Sequence, residues 1–98
     1  MSTPAHWPRT MAKARIFKAL GHPARLALVE HLSSGPRCVC ELVPLVPGRQ
    51  ATTSRHLAVL VRAGVLRRQR EGTRMMYTLA VPCVLRALPC VERALARH

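Results

Sequence analysis

Aromatic side chains are scarce in this sequence. It has one Trp, one Tyr and one Phe among 98 residues, although 49% of the residues are hydrophobic. A core with so few aromatic rings has to be built from Leu, Val and Ala, which favours packed helices over a β-sandwich. A chain of this length forms one domain close to the lower limit for a single core. We therefore expect it to complete that core as a homodimer.

Long apolar runs are missing as well. No stretch approaches the ~18 apolar residues that would cross a bilayer. The first residues, MSTPAHWPRTMAKAR, lack the apolar segment of a signal peptide. The sequence therefore predicts a cytoplasmic protein with no membrane partner. In that compartment its four cysteines are expected to be thiols, metal ligands or redox sensors rather than structural disulfides.

Acidic side chains are few, and the charge balance is strongly basic. Sixteen Lys and Arg residues stand against four acidic ones, for a net charge of +12. Such a surface attracts polyanions, so double-stranded DNA is the expected partner. A non-specific architectural DNA binder remains one interpretation, because a charge of +12 attracts any duplex.

The sequence predicts no enzyme. It contains no Ser-His-Asp, Cys-His or paired-carboxylate arrangement and no Gly-rich phosphate-binding loop. The predicted fold is mostly α-helical with a small β-hairpin, with a flexible arm at residues 1–10 and a single domain at 11–98. The predicted elements are helices at 11–20, 23–32, 38–46 and 50–63, a hairpin at 65–79 and a last helix at 81–97, kinked at Pro89.

The helix predicted at 50–63 has two different faces. At 100° per residue the inner face takes Thr53, Leu57, Leu60 and Val61, and the outer face takes Thr52, Arg55, Val59 and Arg62. Ser54 and His56 lie on the flanks, and Arg49 and Gln50 lie at the N-terminal end. Hydroxyl and guanidinium groups on such a face suit base edges in a major groove, and the helix N-terminus suits phosphate.

Arginines concentrate in the hairpin that follows. They are Arg67, Arg68, Arg70 and Arg74, close to a turn at Glu71-Gly72. Guanidinium groups at this place can lie across phosphates or enter a minor groove. A helix with a polar outer face followed by a basic hairpin predicts a winged helix-turn-helix that reads duplex DNA.

Four segments together resemble a known family. In chain order they are FKALGHPARLALVEHL, CVCEL, SRHLAVLVRAGVL and REGTRMMYTL. They resemble the ArsR/SmtB family of metal- and metalloid-responsive repressors across residues 11–80. The resemblance implies a homodimeric winged helix-turn-helix whose first and last helices form the dimer interface. It also implies repression of an operon until an inducer binds, with Thr53, Ser54, Arg55 and His56 reading the DNA and the wing at 67–79.

The last helix carries an apolar seam that agrees with this dimer interface. Val84, Leu88, Val91 and Leu95 repeat at intervals of four, three and four residues. Ile16 and Leu20 of the first helix can extend the seam across a two-fold axis.

The resemblance also implies an inducer site at Cys38-Val39-Cys40. Two soft thiolates suit As(III) and Sb(III), and also Cd(II) or Pb(II), with Zn(II) less exclusively. Side chains two apart in a regular helix point about 200° apart, so both can bind one ion only at a distorted helix end. Val43 stands where the arsenic-responsive motif has a third cysteine. Cys83 or Cys90, from the same or the other subunit, is then the candidate third donor. A separate As(III) site on the last helix, completed across the dimer, is the other interpretation.

A thiol switch on the same fold is the alternative interpretation. Some family relatives sense persulfide or oxidants through one early cysteine and one in the last helix. Cys38 or Cys40 with Cys83 or Cys90 would serve if their Cα atoms lie within about 7 Å.

Overall fold

The computed structural model describes residues 2–97 and is mostly helical with a small antiparallel sheet. The α-helices are α1 (Trp7–Leu20), α2 (Pro23–His31), α3 (Val39–Leu42), α4 (Gln50–Arg62) and α5 (Leu88–Ala96). The strands are β1 (Arg37–Cys38), β2 (Leu66–Glu71) and β3 (Arg74–Leu79). Short 3₁₀ helices cover Leu32–Ser34, Val43–Leu45 and Pro82–Ala87. The predicted fold class, a winged helix-turn-helix, is confirmed.

The core is aliphatic, as the composition predicts. Leu28, Leu42, Leu57 and Leu60 are fully buried, so α2, α3 and α4 all contribute leucine to one core. Of the three aromatic residues only Tyr77 is buried, while Trp7 and Phe17 are exposed. Packing of α3 against α4 by these leucines fixes the helix-turn-helix.

The hairpin forms two strands of a three-stranded sheet with the order β1-β3-β2, in which β3 is central. Strand β2 pairs with β3 from Leu66↔Leu79 to Glu71↔Arg74. Gly72 has a φ of 61°, the left-handed conformation that glycine adopts freely, and it makes the tight turn between them. On the other side of β3, the short strand β1 pairs Arg37 with Tyr77 and Cys38 with Met76.

Three predicted boundaries were wrong. Helix α1 begins at Trp7, so the segment predicted as a flexible arm is helical in its last part. Cys38 lies in strand β1 instead of a helix, and α3 ends at Leu42 because Pro44 follows in a 3₁₀ turn. Pro89 does not kink a long helix: it lies in the first turn of α5, where its missing N–H costs no hydrogen bond.

No helix in the described part of the chain is both long enough and apolar enough to cross a membrane.

Candidate DNA interface and cysteine pair

Helix α4 separates core from solvent as predicted. Leu57 and Leu60 are fully buried, while Ser54 and Arg55 are exposed and Thr52 and His56 are partly exposed. Arg49 precedes the helix in an extended conformation and, like Gln50, is exposed. The first two turns of α4 therefore present hydroxyl, amide and guanidinium groups to solvent. The backbone N–H groups at the start of the helix can donate hydrogen bonds to a phosphate.

Thr53 is the exception among the predicted reading residues. It is 0% exposed on the inner face of α4. Its hydroxyl oxygen has no hydrogen-bond partner among the described residues. A side chain buried in the core does not reach a base edge, so Thr53 is a core residue and leaves the set of DNA contacts.

Replacing Thr53 with Val tests that assignment. The substitution keeps the shape and removes a buried hydroxyl without a partner, whose desolvation costs about 1–3 kcal/mol. We expect Thr53→Val to raise the free energy of unfolding, measured with urea, and to leave the affinity for DNA unchanged. A loss of DNA affinity in a stable variant would return Thr53 to the interface.

Two histidines connect α4 to the start of α2. The His22 Nδ1 atom accepts a hydrogen bond from the Ala24 N–H at 3.1 Å and so caps α2. The ring centroids of His22 and His56 lie 4.5 Å apart. Burial, and then the positive charges of His22, Arg25 and Arg55, lower the pKa of His56 below its ordinary value of 6.5. His56 therefore favours the neutral form in the folded protein.

This lowered pKa predicts a loss of stability in acid. Below about pH 6.5 the unfolded chain takes up a proton at His56 before the folded chain does. The contribution of His56 is therefore present above that pH and is lost as the pH falls towards the lower pKa of the folded state. We expect the melting temperature of His56→Gln to depend less on pH between about 7.5 and 5.5 than that of the wild type. Parallel curves would contradict this.

The wing divides its arginines between two faces. Opposite residues of an antiparallel pair point to the same side, so Arg68 and Arg70 share a face with their partners Tyr77 and Met75. Arg67 and Arg74 lie on the other face, where Arg74 stands opposite Glu71. All four arginines are exposed. The four arginines, predicted to form one cluster, therefore form two pairs on opposite faces of the wing, because strand residues alternate between faces.

Cys38 and Cys40 are joined by a disulfide across a helix start. Cys38 is extended and only 2% exposed, and Cys40 lies in the first turn of α3 and is exposed. Their Cα atoms are 5.4 Å apart, within the range a disulfide spans. The Cys38 N–H donates to the Glu41 carboxylate at 3.0 Å, which holds this helix start. Cys38 lies just outside the helix as its extended N-cap, and this position brings the two sulfurs together without a distortion of the helix.

The cysteines of the last segment are separate. Cys83, in the 3₁₀ helix, and Cys90, in α5, are free and exposed. The disulfide partner of Cys38 is Cys40, which differs from the predicted pairing of an early and a late cysteine. Within residues 2–97 of one protomer, no three His, Cys, Asp or Glu side chains form a group that would hold a metal ion. Once the disulfide is reduced, Cys38 and Cys40 offer two soft donors, and no third donor lies beside them among residues 2–97 of one protomer.

A comparison with known proteins decides the family. The model of the family described as bacterial regulatory protein, arsR family, matches residues 22–68. Over 91 residues the chain is 38% identical to the HTH-type transcriptional regulator Rv0081 of Mycobacterium tuberculosis, covering 92% of this chain and 80% of that protein. The chain belongs to the ArsR family. It is accordingly a DNA-binding transcriptional regulator, and its family is not one of enzymes.

Solved structures of similar proteins agree with the fold. The crystal structure of Rv0081 matches with a TM-score of 0.76 over 92% of this chain and 91% of that one. The homodimeric winged helix-turn-helix DNA-binding domain of Mb0332 from Mycobacterium bovis matches with a TM-score of 0.84 at 26% identity, covering 99% and 94% of the two chains.

A further relative by sequence is the cadmium resistance transcriptional regulatory protein CadC homolog of Staphylococcus aureus. It is 34% identical over 70 residues, covering 70% of this chain and 58% of that protein.

This ArsR-family chain exposes an apolar surface on the predicted seam. Val91 and Leu95 of α5 are 50% and 68% exposed, and Phe17 of α1 is 73% exposed. A groove of about 170 Å³ between these helices is lined by Phe17, Leu20, Val84, Leu88 and Val91, among others. Single exposed apolar residues are ordinary, but a contiguous patch of this kind is typical of an interface.

Two features of the candidate site were not predictable from the sequence. Strand β1 has only two residues, too few to show any alternation, and its partner β3 lies far along the chain. The contact between His22 and His56 joins distant segments. A local signal indicates the capping role of His22. It directly precedes Pro23, and the residue before a proline at the first helical position is the N-cap.

Proposed function

We propose that this protein is a cytoplasmic homodimeric repressor that a thiophilic metalloid releases from its operator. As(III) is the first candidate, with Sb(III) next and Cd(II), Pb(II) or Zn(II) as further ions. Operator contacts come from the exposed part of α4 and from the wing. They are made by Arg49, Gln50, Thr52, Ser54, Arg55, His56, Arg68, Arg70 and Arg74.

One observation carries the proposal: Cys38 lies where the strand paired with the wing meets the start of α3. It pairs with Met76 of the wing strand β3, and it also begins α3, which packs against the recognition helix α4. A metalloid bound to the reduced thiols of Cys38 and Cys40 would therefore act on the relative position of wing and helix. The name of the CadC homolog, a cadmium resistance regulator, supports a metal signal in a related chain.

A homodimer completes both the fold and the ligand set. The exposed apolar surface of α1 and α5 suits a second copy of the chain, and the related domain of Mb0332 is homodimeric. Cys83 and Cys90 are exposed near or within α5, next to this surface. One of them, from either subunit, is the candidate third thiolate beside Cys38 and Cys40.

The mechanism is a coupling between two equilibria. Operator DNA favours the dimer geometry in which both α4 helices and wings fit successive grooves, and the bound metalloid favours another. Coupling free energies of this kind are typically ~1–3 kcal/mol, which weakens DNA binding about 5–150-fold. DNA must weaken metalloid binding by the same factor.

Replacing Cys40 with Ser separates the inducer site from packing. Cys40 is exposed and Cys38 is buried, so Cys40→Ser removes one thiolate without disturbing the core. We expect the reduced variant to bind operator as the wild type does and to stay bound when As(III) is added, measured by fluorescence anisotropy. Matched Cys83→Ser and Cys90→Ser variants identify the third donor by the same loss. Weaker operator binding by Cys40→Ser alone would assign Cys40 to structure.

The bond between Cys38 and Cys40 favours a second candidate, a thiol switch. A small-molecule persulfide would accept two electrons from the two thiols, forming the disulfide and leaving a thiol and hydrogen sulfide. Operator release by a persulfide donor, reversal by a dithiol and indifference to As(III) would establish this candidate instead. An architectural DNA binder differs from both because it would bind operator and random duplex equally.

A further inference from the structure

A basic groove lies between α1 and α4 on the opposite side of α1 from the exposed apolar surface. It has a volume of about 460 Å³. Its rim carries four cationic side chains, Arg15, Lys18, Arg25 and Arg62. At 100° per residue, the direction of Arg15 and Lys18 is roughly opposite to that of Phe17 and Leu20. A dimer formed through Phe17 and Leu20 therefore leaves the basic groove open.

No acidic side chain of the described residues lines this groove. None of the four glutamates of the chain is among the residues that line it. Arg25 is fixed in place, because its Nε atom donates to the carbonyl oxygen of Ala19 at 2.7 Å. Its terminal N–H groups are left for another acceptor. Four cations held around one cavity repel one another, so an anion placed between them is attracted by all four.

The floor of the groove is apolar. It is formed by Ala19, Val59 and Ala63, of which Ala19 is buried and the other two are partly exposed. A DNA phosphate would use the cationic rim and leave this floor wet. An apolar group that covers the floor adds the favourable free energy of burying apolar surface. Cavities of roughly 300–1,000 Å³ are typical for small organic ligands.

We propose that the basic groove binds an organic anion with an apolar body, such as an aromatic or aliphatic carboxylate or sulfonate. The anionic group lies among Arg15, Lys18, Arg25 and Arg62, and the apolar body covers the floor. Val59 and Arg62 continue the face of α4 that carries Arg55, so the ligand adds negative charge beside the DNA-reading surface. Its effect on operator binding rests on the proposed function; the binding site itself does not.

The test needs neither DNA nor a metalloid, so its failure is distinct from failure of the repressor proposal. Naphthalene sulfonate is titrated into reduced, nitrogen-15-labelled protein, with inorganic sulfate and neutral naphthalene methanol as parallel probes. We expect saturable amide shifts at Ala19, Val59 and Ala63 with naphthalene sulfonate alone. Arg62→Glu should weaken this binding at least about tenfold, since it replaces attraction by repulsion.

The matched control is Arg93→Glu, an exposed arginine of α5 outside the groove, which should bind the probe as the wild type does. Unchanged melting temperatures confirm that both variants are folded. Equal shifts with inorganic sulfate would overturn the proposal in favour of a phosphate contact. Shifts centred on Phe17 and Val91 would also overturn it, because the probe would then lie on the dimer surface, and so would the absence of saturable shifts.

Discussion

Operator affinity is expected to fall about a thousandfold or more when the salt concentration rises from about 50 to about 200 mM. The phosphate contacts are expected from four exposed arginines in each subunit, which are Arg49 before α4 and Arg68, Arg70 and Arg74 of the wing. They give roughly six to eight contacts in a dimer. Each neutralised phosphate releases condensed counterions and adds about 0.9 to the slope of log affinity against log salt. The measurement is fluorescence anisotropy on a duplex selected from a random pool.

Single arginine variants check the origin of this slope. Arg70→Ala should lower it by about two in the dimer, one contact from each wing. Arg93→Ala on α5 is the matched control and should leave it unchanged. A wild-type slope near two or below would mean that the wings do not lie on the DNA backbone.

Arg55→Ala is expected to weaken operator binding by about 10- to 100-fold for each half-site, and random-duplex binding far less. Arg55 is exposed on the outward face of α4, and a bidentate contact from arginine to guanine discriminates against other bases by ~1–3 kcal/mol. The measurement compares Kd values on the selected duplex and on a scrambled one at a single salt concentration.

The comparison of the two duplexes distinguishes a base contact of Arg55 from a phosphate contact. Arg93→Ala serves again as the control for loss of one positive charge. If Arg55→Ala lowered both affinities by the same factor, Arg55 would be a phosphate contact, and base reading would fall to Thr52, Ser54 or Gln50.

Helix α4 was predictable because the spacing of its apolar residues is regular, and the hairpin because Glu71-Gly72 marks a tight turn. In α4 the spacing of Leu57 and Leu60 predicts the buried face that the structure shows, and the turn at Gly72 follows from glycine's freedom at positive φ. The same spacing of 100° per residue also predicts that Thr53 lies on the buried face. The family resemblance implies instead that Thr53 reads DNA, and the structure agrees with the helical spacing.

The parts that the sequence did not predict depend on contacts between distant segments. Strand β1 exists because β3 offers a free edge, so Cys38 became a strand residue rather than a helical one. The bond from Cys38 to Cys40 follows from this extended conformation next to a helix start. The basic groove joins α1, α2 and α4, and no local pattern brings Arg15, Arg25 and Arg62 together.

The central claim is that a thiophilic metalloid releases this regulator from DNA through its cysteines. The most direct measurement is operator anisotropy with the reduced wild-type protein during titration with As(III), with a persulfide donor titrated in parallel. We predict release by As(III) at stoichiometric concentrations under reducing conditions. A complex that stays intact with As(III) and dissociates only with the persulfide donor would contradict the claim and make Cys38 and Cys40 a redox switch.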